Sequence, residues 1–397
     1  METTDLLVIG GGVVGLTAAL AFRRRHRGQR VVVLEKEPRV GLHASGRSSG
    51  VLHAGFYYSA DSLKARYSVA GCRAWKDFCG AHGVAIQRCG KLVVARSPRD
   101  HAGLDELQRR AERNGVRIER VSGAEVQQIE PRARTVERAL FSPDTATVDP
   151  RAVMAKLAEV CVQEGIVLRT GAPYLGRAGR AVIVPSGSIE AGVVLNAAGL
   201  YADRVAAGWG CGARWRLVPF RGTYVVGRAG APSLSCCVYP VPDLEMPFLG
   251  IHLTPTPSGG IKIGPTAVPG RWRQDYGGLG GLRLGELAEQ LRVQAGLWTR
   301  NAGVRRLAMT AAPKLSRRWL VRAASRLVSG LRASDFRAWG RPGVRAQLVE
   351  AGTGRLVQDF VVEVGPGSLH VLNAVSPAFT CALPFAESLV DRVEVLA

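Results

Sequence analysis

The sequence predicts an α/β chain in which one domain, opened by a β-α-β unit, is interleaved with an α+β domain built on an antiparallel sheet. Three observations predict it. Two short apolar runs of buried-strand type, residues 6–10 and 31–37, flank a helical run at 13–25. Residues 216–265 are rich in β-branched and aromatic side chains with Pro and Gly punctuation, the pattern of antiparallel strands. No internal repeat or low-complexity linker separates the two kinds of segment, so the domains share the chain rather than follow one another. The first is expected to take residues 1–85, 145–215 and 335–397, and the second 86–144 and 216–334.

The elements follow in order. Leu6 to Phe22 is uncharged for seventeen residues, close to a membrane span, but Gly10, Gly11, Gly12 and Gly15 break it into strand, tight turn and helix. The unit carries Gly10-x-Gly12-x-x-Gly15, and Glu35 stands twenty residues after the last glycine, at the end of the second strand. Each position has a mechanical reason. Gly10 permits the turn, Gly12 lets backbone approach a pyrophosphate, and Gly15 lets helix and strand pack closely. The helix N-terminus favours phosphate charge, and Glu35 can accept from both ribose hydroxyls, which disfavours a 2′-phosphate. This is a Rossmann-type dinucleotide site; by itself it does not decide between FAD and NAD. A second loop rich in Gly and Ser, Gly41 to Gly50, follows directly and can line a pyrophosphate and the ring beyond it. Residues 105–114 and 151–164 read as helices, and 193–203 as a strand running into a Gly turn toward the cofactor.

Composition excludes several classes. With 47% hydrophobic and 21% charged residues among 397, the chain can bury a large core and is not disordered. Its 48 glycines have no three-residue period, so it is not collagenous. The formal net charge is +21, and residues 300–345 hold eleven Arg and Lys314 against the single acid Asp335. Such a patch suits an anionic partner, lipid or nucleic acid. No nucleic-acid-binding module accompanies it, so no nucleic acid is expected. In 315–331, Arg318, Arg322 and Arg326 form one helical stripe and Leu320, Leu327 and Leu331 another. That is the pattern of an interfacial helix on anionic lipid, and equally of a basic helix packed on its own protein. The eight Cys show no metal-ligand spacing and read as reduced thiols, and METTD lacks a basic leader region. The expectation is a cytoplasmic protein without a metal, peripheral on the inner face of a membrane if the basic helix engages lipid.

The segments GGGVVGL (10–16), SGVLHAGFYY (49–58), SLKA (62–65) and CGKLVVA (89–95) carry a resemblance. So do NAAGLYADR (196–204), VPFRG (218–222), YPVPD (239–243), PFLGIHLTP (247–255), GVRAQ (343–347) and NAVSPA (373–378). In that order, over nearly the whole chain, they resemble the FAD-dependent L-2-hydroxyglutarate dehydrogenases and oxidases of the D-amino-acid-oxidase-like superfamily. Two departures stand out. Ser48 replaces an Asn usual in the family, and Phe379-Thr-Cys-Ala382 replaces a run rich in Ser and Thr. The resemblance implies FAD, with Gly10, Gly12, Gly15, Glu35, Lys36, Ser45, Gly46, Ser48, Ser49, Gly50, Ala198, Gly199, Ser376, Pro377 and Ala378 around it. It also implies a small dicarboxylic hydroxy-acid substrate, and quinone or oxygen as electron acceptor.

Oxidising such an acid needs a base, a hydride acceptor and a carboxylate clamp. Flavin is the acceptor. His53 and His252, in family-like segments, are the candidate bases; His370 is a weaker candidate, more often a core residue. Arg345 and Arg221 are the candidate clamps, because guanidinium binds carboxylate bidentately. Tyr57, with Tyr58 and Tyr224, is a candidate second donor. His53 and Cys381 are the groups that could bond a flavin covalently. Two alternatives compete: an amine or amino-acid oxidase of the same superfamily, and a non-catalytic nucleotide-dependent binding protein.

Overall fold

The computed structural model describes residues 2–243 and 250–396, so residues 247–249 of the quoted 247–255 segment lie outside it. Its helices include α1 (Val13–Arg25), α2 (Leu63–Ala81), α3 (Leu284–Arg300), α4 (Arg317–Ala324) and α5 (Ala378–Glu394).

The apolar runs become central strands because both their faces are covered. Strands Ser368–Asn373, Gly187–Asn196, Glu2–Ile9, Val31–Leu34 and Val167–Arg169 lie side by side and parallel. Helices α1, α2 and α5 pack together against this sheet, with Leu16, Trp75, Phe385 and Leu389 in one core. Close packing at the first turn needs glycine. A Cβ on Gly15 would stand 2.0 Å from the Gly10 carbonyl oxygen, and Gly10 itself has φ 115°.

The second large sheet runs in the order Ala338–Trp339, Val225–Val226, Ile261–Gly264, His252–Pro255, Cys237–Pro240, Lys91–Val94, Arg138–Ser142, Glu119–Ser122. It is antiparallel as expected except at its centre, where Cys237–Pro240 runs parallel to Lys91–Val94. No hairpin joins those two strands; they come from separate passages of an interleaved chain. A three-stranded sheet pairs Trp215–Gly222 with Gly343–Glu350 and Val268–Pro269. Residues 338–350 pair there and at the edge of the second sheet, and the chain rejoins the first sheet at Val361–Gly365.

The basic segment 315–331 departs from expectation. Its helix, α4, spans eight residues, and Leu320, Val321, Ala324, Leu327 and Val328 are all buried in the core under the second sheet. The apolar face that lipid would need is already covered, while Arg318, Arg322 and Arg326 stay exposed. The interfacial-helix reading of this segment is therefore corrected: it is a basic helix packed on its own protein. Among the described residues, no helix is long and apolar enough to cross a membrane.

Candidate active site

A cavity of about 1100 Å³ runs from the C-terminal ends of the parallel strands to the second sheet. Ile9-Gly10, Leu34-Glu35, Ala197-Ala198 and Leu372 with Ala374 all line it, so four strand ends open into one crevice, the usual place for a ligand in such sheets. At this end the α1 N-cap, Gly12, has no side-chain cap, and Ser45 Oγ accepts from Val13 N–H at 2.9 Å. Glu35 is buried, and its carboxylate accepts from Gly11 N–H at 3.0 Å and Glu37 N–H at 2.9 Å. Burial nevertheless pushes it above the ordinary carboxylate range. Lys36, Ser48, Ser49, Gly199 and residues 376–378 line the same wall. The Ser48 hydroxyl is buried with no partner. A helix N-terminus whose N-cap, Gly12, has no side chain, an acceptor carboxylate at the second strand and a buried hydroxyl without a partner are the groups a dinucleotide satisfies, so the residues present fit FAD.

At the far end stand His53, Tyr57, Tyr58, Lys64, Tyr224, Tyr239, His252 and Arg345. His252 stacks on Tyr239 with ring centres 3.8 Å apart, and its Nδ1 lies 2.9 Å from the Gly250 carbonyl oxygen. That carbonyl can only accept, so the proton sits on Nδ1 and Nε2 keeps its lone pair; Nε2 is buried without a partner. Burial lowers His252 to about 3 and holds His53 well below the usual imidazole value. Both rings are neutral at pH 7. His53 Nδ1 lies 3.5 Å from Lys91 Nζ. Lys91 is wholly buried, its ammonium 4.5 Å from the Tyr239 ring centre and 4.9 Å from that of Tyr57, and burial lowers it to about 8. Lys64 is lowered to about 7, by burial and then by the field of Arg345. Burial also brings Arg345 down to about 10. Asp359 lines the cavity as well, its carboxylate accepting from the N–H groups of Leu63 and Lys64.

Most expected residues meet here, but not all. Arg221 does not line the cavity; it is one residue out of phase with Phe220 and Gly222, which do, and it bonds to Asp275 at 3.0 Å. His370 lies in the core between Asn196 Nδ2 and Ser368 Oγ, at 3.1 and 2.9 Å. Gly15, Gly46 and Gly50 also stand back from the cavity. A Cβ on Gly46 or Gly50 would meet the carbonyl oxygen of Gly41 or Val148, at 2.4 and 2.2 Å, so their role is close packing behind the wall. Cys381 is buried against Ser68 and lies outside the lining, whereas the neighbouring Phe379 and Thr380 belong to it. Lys64 and Lys91 were not among the expected site residues. Both occur in the quoted segments SLKA and CGKLVVA, and in a chain with only seven Lys that could have marked them.

Comparison with known proteins agrees with this geometry. A family model described as FAD dependent oxidoreductase matches residues 5–392. The chain is 31% identical to L-2-hydroxyglutarate dehydrogenase of Escherichia coli strain K12, over 99% of this chain and 93% of that protein. It is 35% identical to the mitochondrial L-2-hydroxyglutarate dehydrogenase of Caenorhabditis elegans, over 98% and 92% respectively. For the human mitochondrial enzyme the figures are 32%, 98% and 88%. Among solved structures, dithionite-reduced L-α-glycerophosphate oxidase from Mycoplasma pneumoniae with FAD bound has a TM-score of 0.80 at 22% identity, covering 99% of this chain and 95% of that one. Glycine oxidase from Geobacillus kaustophilus has a TM-score of 0.73 at 19% identity, covering 100% and 96%. At those identities the two structures show a shared fold.

Proposed function

The chain belongs to the FAD-dependent oxidoreductase family, and from that premise we propose that it oxidises L-2-hydroxyglutarate, or a closely similar L-2-hydroxy acid, to the 2-oxo acid. The electrons then pass to quinone or oxygen. One observation carries the reading: two buried cations, Lys64 and Arg345, and two neutral histidines, His53 and His252, share the end of a cavity whose other end is a dinucleotide cradle. The relatives named L-2-hydroxyglutarate dehydrogenase support the choice of acid.

Bound FAD supplies the two-electron acceptor for the hydride on the hydroxyl-bearing carbon. Gly10, Gly12, the α1 N-terminus, Glu35, Lys36, Ser45, Ser48, Ser49, Ala198, Gly199, Ser376, Pro377 and Ala378 hold it. Arg345 binds a carboxylate through its guanidinium fork, and Lys64 adds a second cation. A dianion relieves the repulsion between these two groups, so substrate charge is worth more here than in water. Tyr57, whose hydroxyl is buried without a partner, donates to a substrate oxygen. A histidine of the His53 and His252 pair takes the hydroxyl proton at Nε2. A cationic amine would face Lys64 and Arg345, which sets the amine-oxidase alternative behind.

The test is anaerobic addition of L-2-hydroxyglutarate to the FAD-loaded protein. Bleaching of the flavin spectrum with this acid, and not with its D-isomer or with glutamate, is the expected result. A flavin that stays oxidised would discard the substrate, and a protein that cannot retain FAD would sink the reading.

A further inference from the structure

Two thiols meet at the parallel pair in the centre of the second sheet. The sulfurs of Cys89 and Cys237 lie 4.0 Å apart, although the residues are 148 positions apart in the chain. Gly90 holds them there. Its φ is 67°, its N–H donates to the Thr145 carbonyl at 2.9 Å, and its own carbonyl accepts from Cys237 N–H at 3.1 Å. The turn that carries Cys89 is therefore fastened on both sides. Strand parity separates Cys237 from its neighbour Cys236: Cys236 packs with Val238 and Leu253 on one face of the sheet, and Cys237 with Tyr57 and Tyr239 on the other. Of the eight thiols, six are buried and only Cys89 and Cys211 are half-buried. Cys211 bonds to the carbonyl oxygens of Trp209 and Val364, whereas Cys89 faces a second sulfur.

The pair has one reactive sulfur and one waiting sulfur. With the Cys237 S–H donating, Cys89 is drawn below the ordinary thiol value, while the same contact and burial raise Cys237. An accessible thiolate with a resolving thiol beside it is the arrangement that peroxide oxidises. We propose that Cys89 and Cys237 are a peroxide-reactive dithiol that closes to a disulfide behind the active site. The Cys89 thiolate attacks hydrogen peroxide; the O–O bond breaks, an S–O bond forms and hydroxide leaves, to be protonated to water. The Cys237 thiol then attacks the resulting sulfenic sulfur; the S–O bond breaks, and the hydroxyl departs as water with the Cys237 proton. Two thiols thus give up two electrons to one peroxide. Turnover with oxygen as acceptor yields that oxidant by adding two electrons and two protons to O2, and peroxide also reaches the protein from solution. The reaction therefore does not depend on the substrate. Cys237 stands opposite Lys91 in the parallel pair, and Tyr239, two residues on, stacks on His252, so the bond ties together the two strands that carry these groups.

Peptide mapping of the FAD-loaded protein tests it. After a small molar excess of hydrogen peroxide, quenched with catalase, the unfolded protein should take up alkylating reagent at two fewer positions than the eight of the reduced protein. One linked pair of peptides should hold Cys89 and Cys237, and dithiothreitol should restore every thiol. In Cys237→Ala, Cys89 should stop at the sulfenic acid and be captured by dimedone. Cys89→Ser should slow the loss of thiols about tenfold or more. That side chain is half-buried and serine is nearly its size, so flavin content and melting temperature should hold. A full set of free thiols after peroxide would overturn the proposal, as would a first oxidation at Cys211. Linked peptides that appear only after the flavin is lost would also overturn it, because the bond would then belong to the unfolding chain.

Discussion

At the residue scale, Lys91 governs what His53 can do. A charged Lys91 donates to His53 Nδ1, which puts the imidazole proton on Nε2 and leaves no lone pair there for the substrate. A neutral Lys91 accepts from Nδ1–H and frees Nε2 as a base. Lys91 loses its proton near pH 8, so the reactive form of His53 grows as pH rises to that value. We expect the rate of flavin reduction to rise about tenfold per pH unit below about 8 and to level above it. Lys91→Met should abolish that inflection, while Arg345→Met should leave the inflection in place and weaken substrate binding. A flat profile in the parent protein between pH 6 and 9 would transfer the base to His252, whose tautomer is fixed by Gly250. None of this was legible in the segment CGKLVVA. A lysine heading an apolar run reads as the solvent end of a strand, and only the strands Cys237–Pro240 and Arg138–Ser142 on either side bury it.

At the scale of elements, the β-α-β unit could be read directly because its chemistry is local: a turn, a helix start and an acid are all fixed within 35 residues. Gly15→Ala tests that reading. The added methyl meets the Gly10 carbonyl oxygen, which cannot rotate away, so we expect a loss of about 1–3 kcal/mol together with weakened FAD retention. Thermal melting and the ratio of flavin to protein absorbance measure both. Elsewhere, what was hidden was orientation. VPFRG and GVRAQ each contain one arginine, but strand parity turns Arg221 to Asp275 and leaves Arg345 at the cavity, and nothing in five residues fixes parity. The helices show the same limit. The amphipathic pattern of 315–331 fitted a lipid surface and the protein's own core alike, and its apolar face proved to be interior. In α3, Leu284, Leu291 and Trp298 face solvent while Glu286, Gln290 and Leu297 are buried.

At the scale of the whole molecule, interleaving was legible from the lack of a linker, while the late return to the first sheet depends on pairings more than a hundred residues apart. The architecture couples the two large sheets. FAD bound at the strand ends stabilises only the folded chain, and the parallel pair at the centre of the second sheet cannot form until both passages are in place. We therefore expect heating to release flavin and to melt secondary structure in one coincident transition that added FAD moves upward. Two separated transitions, by flavin fluorescence and circular dichroism, would show that the sheets unfold independently.

The place of Ser368–Asn373 beside Gly187–Asn196, and of α5 across α1 and α2, also bears on synthesis. The glycine turn that receives the pyrophosphate is synthesised more than 350 residues before the strand and helix that complete its sheet and cover it. In the interval between them the nascent chain carries a nucleotide motif it cannot close, with apolar helix faces uncovered. Closure of this sheet therefore waits for residues far along the chain, and the emerging segments before them are natural clients for chaperones.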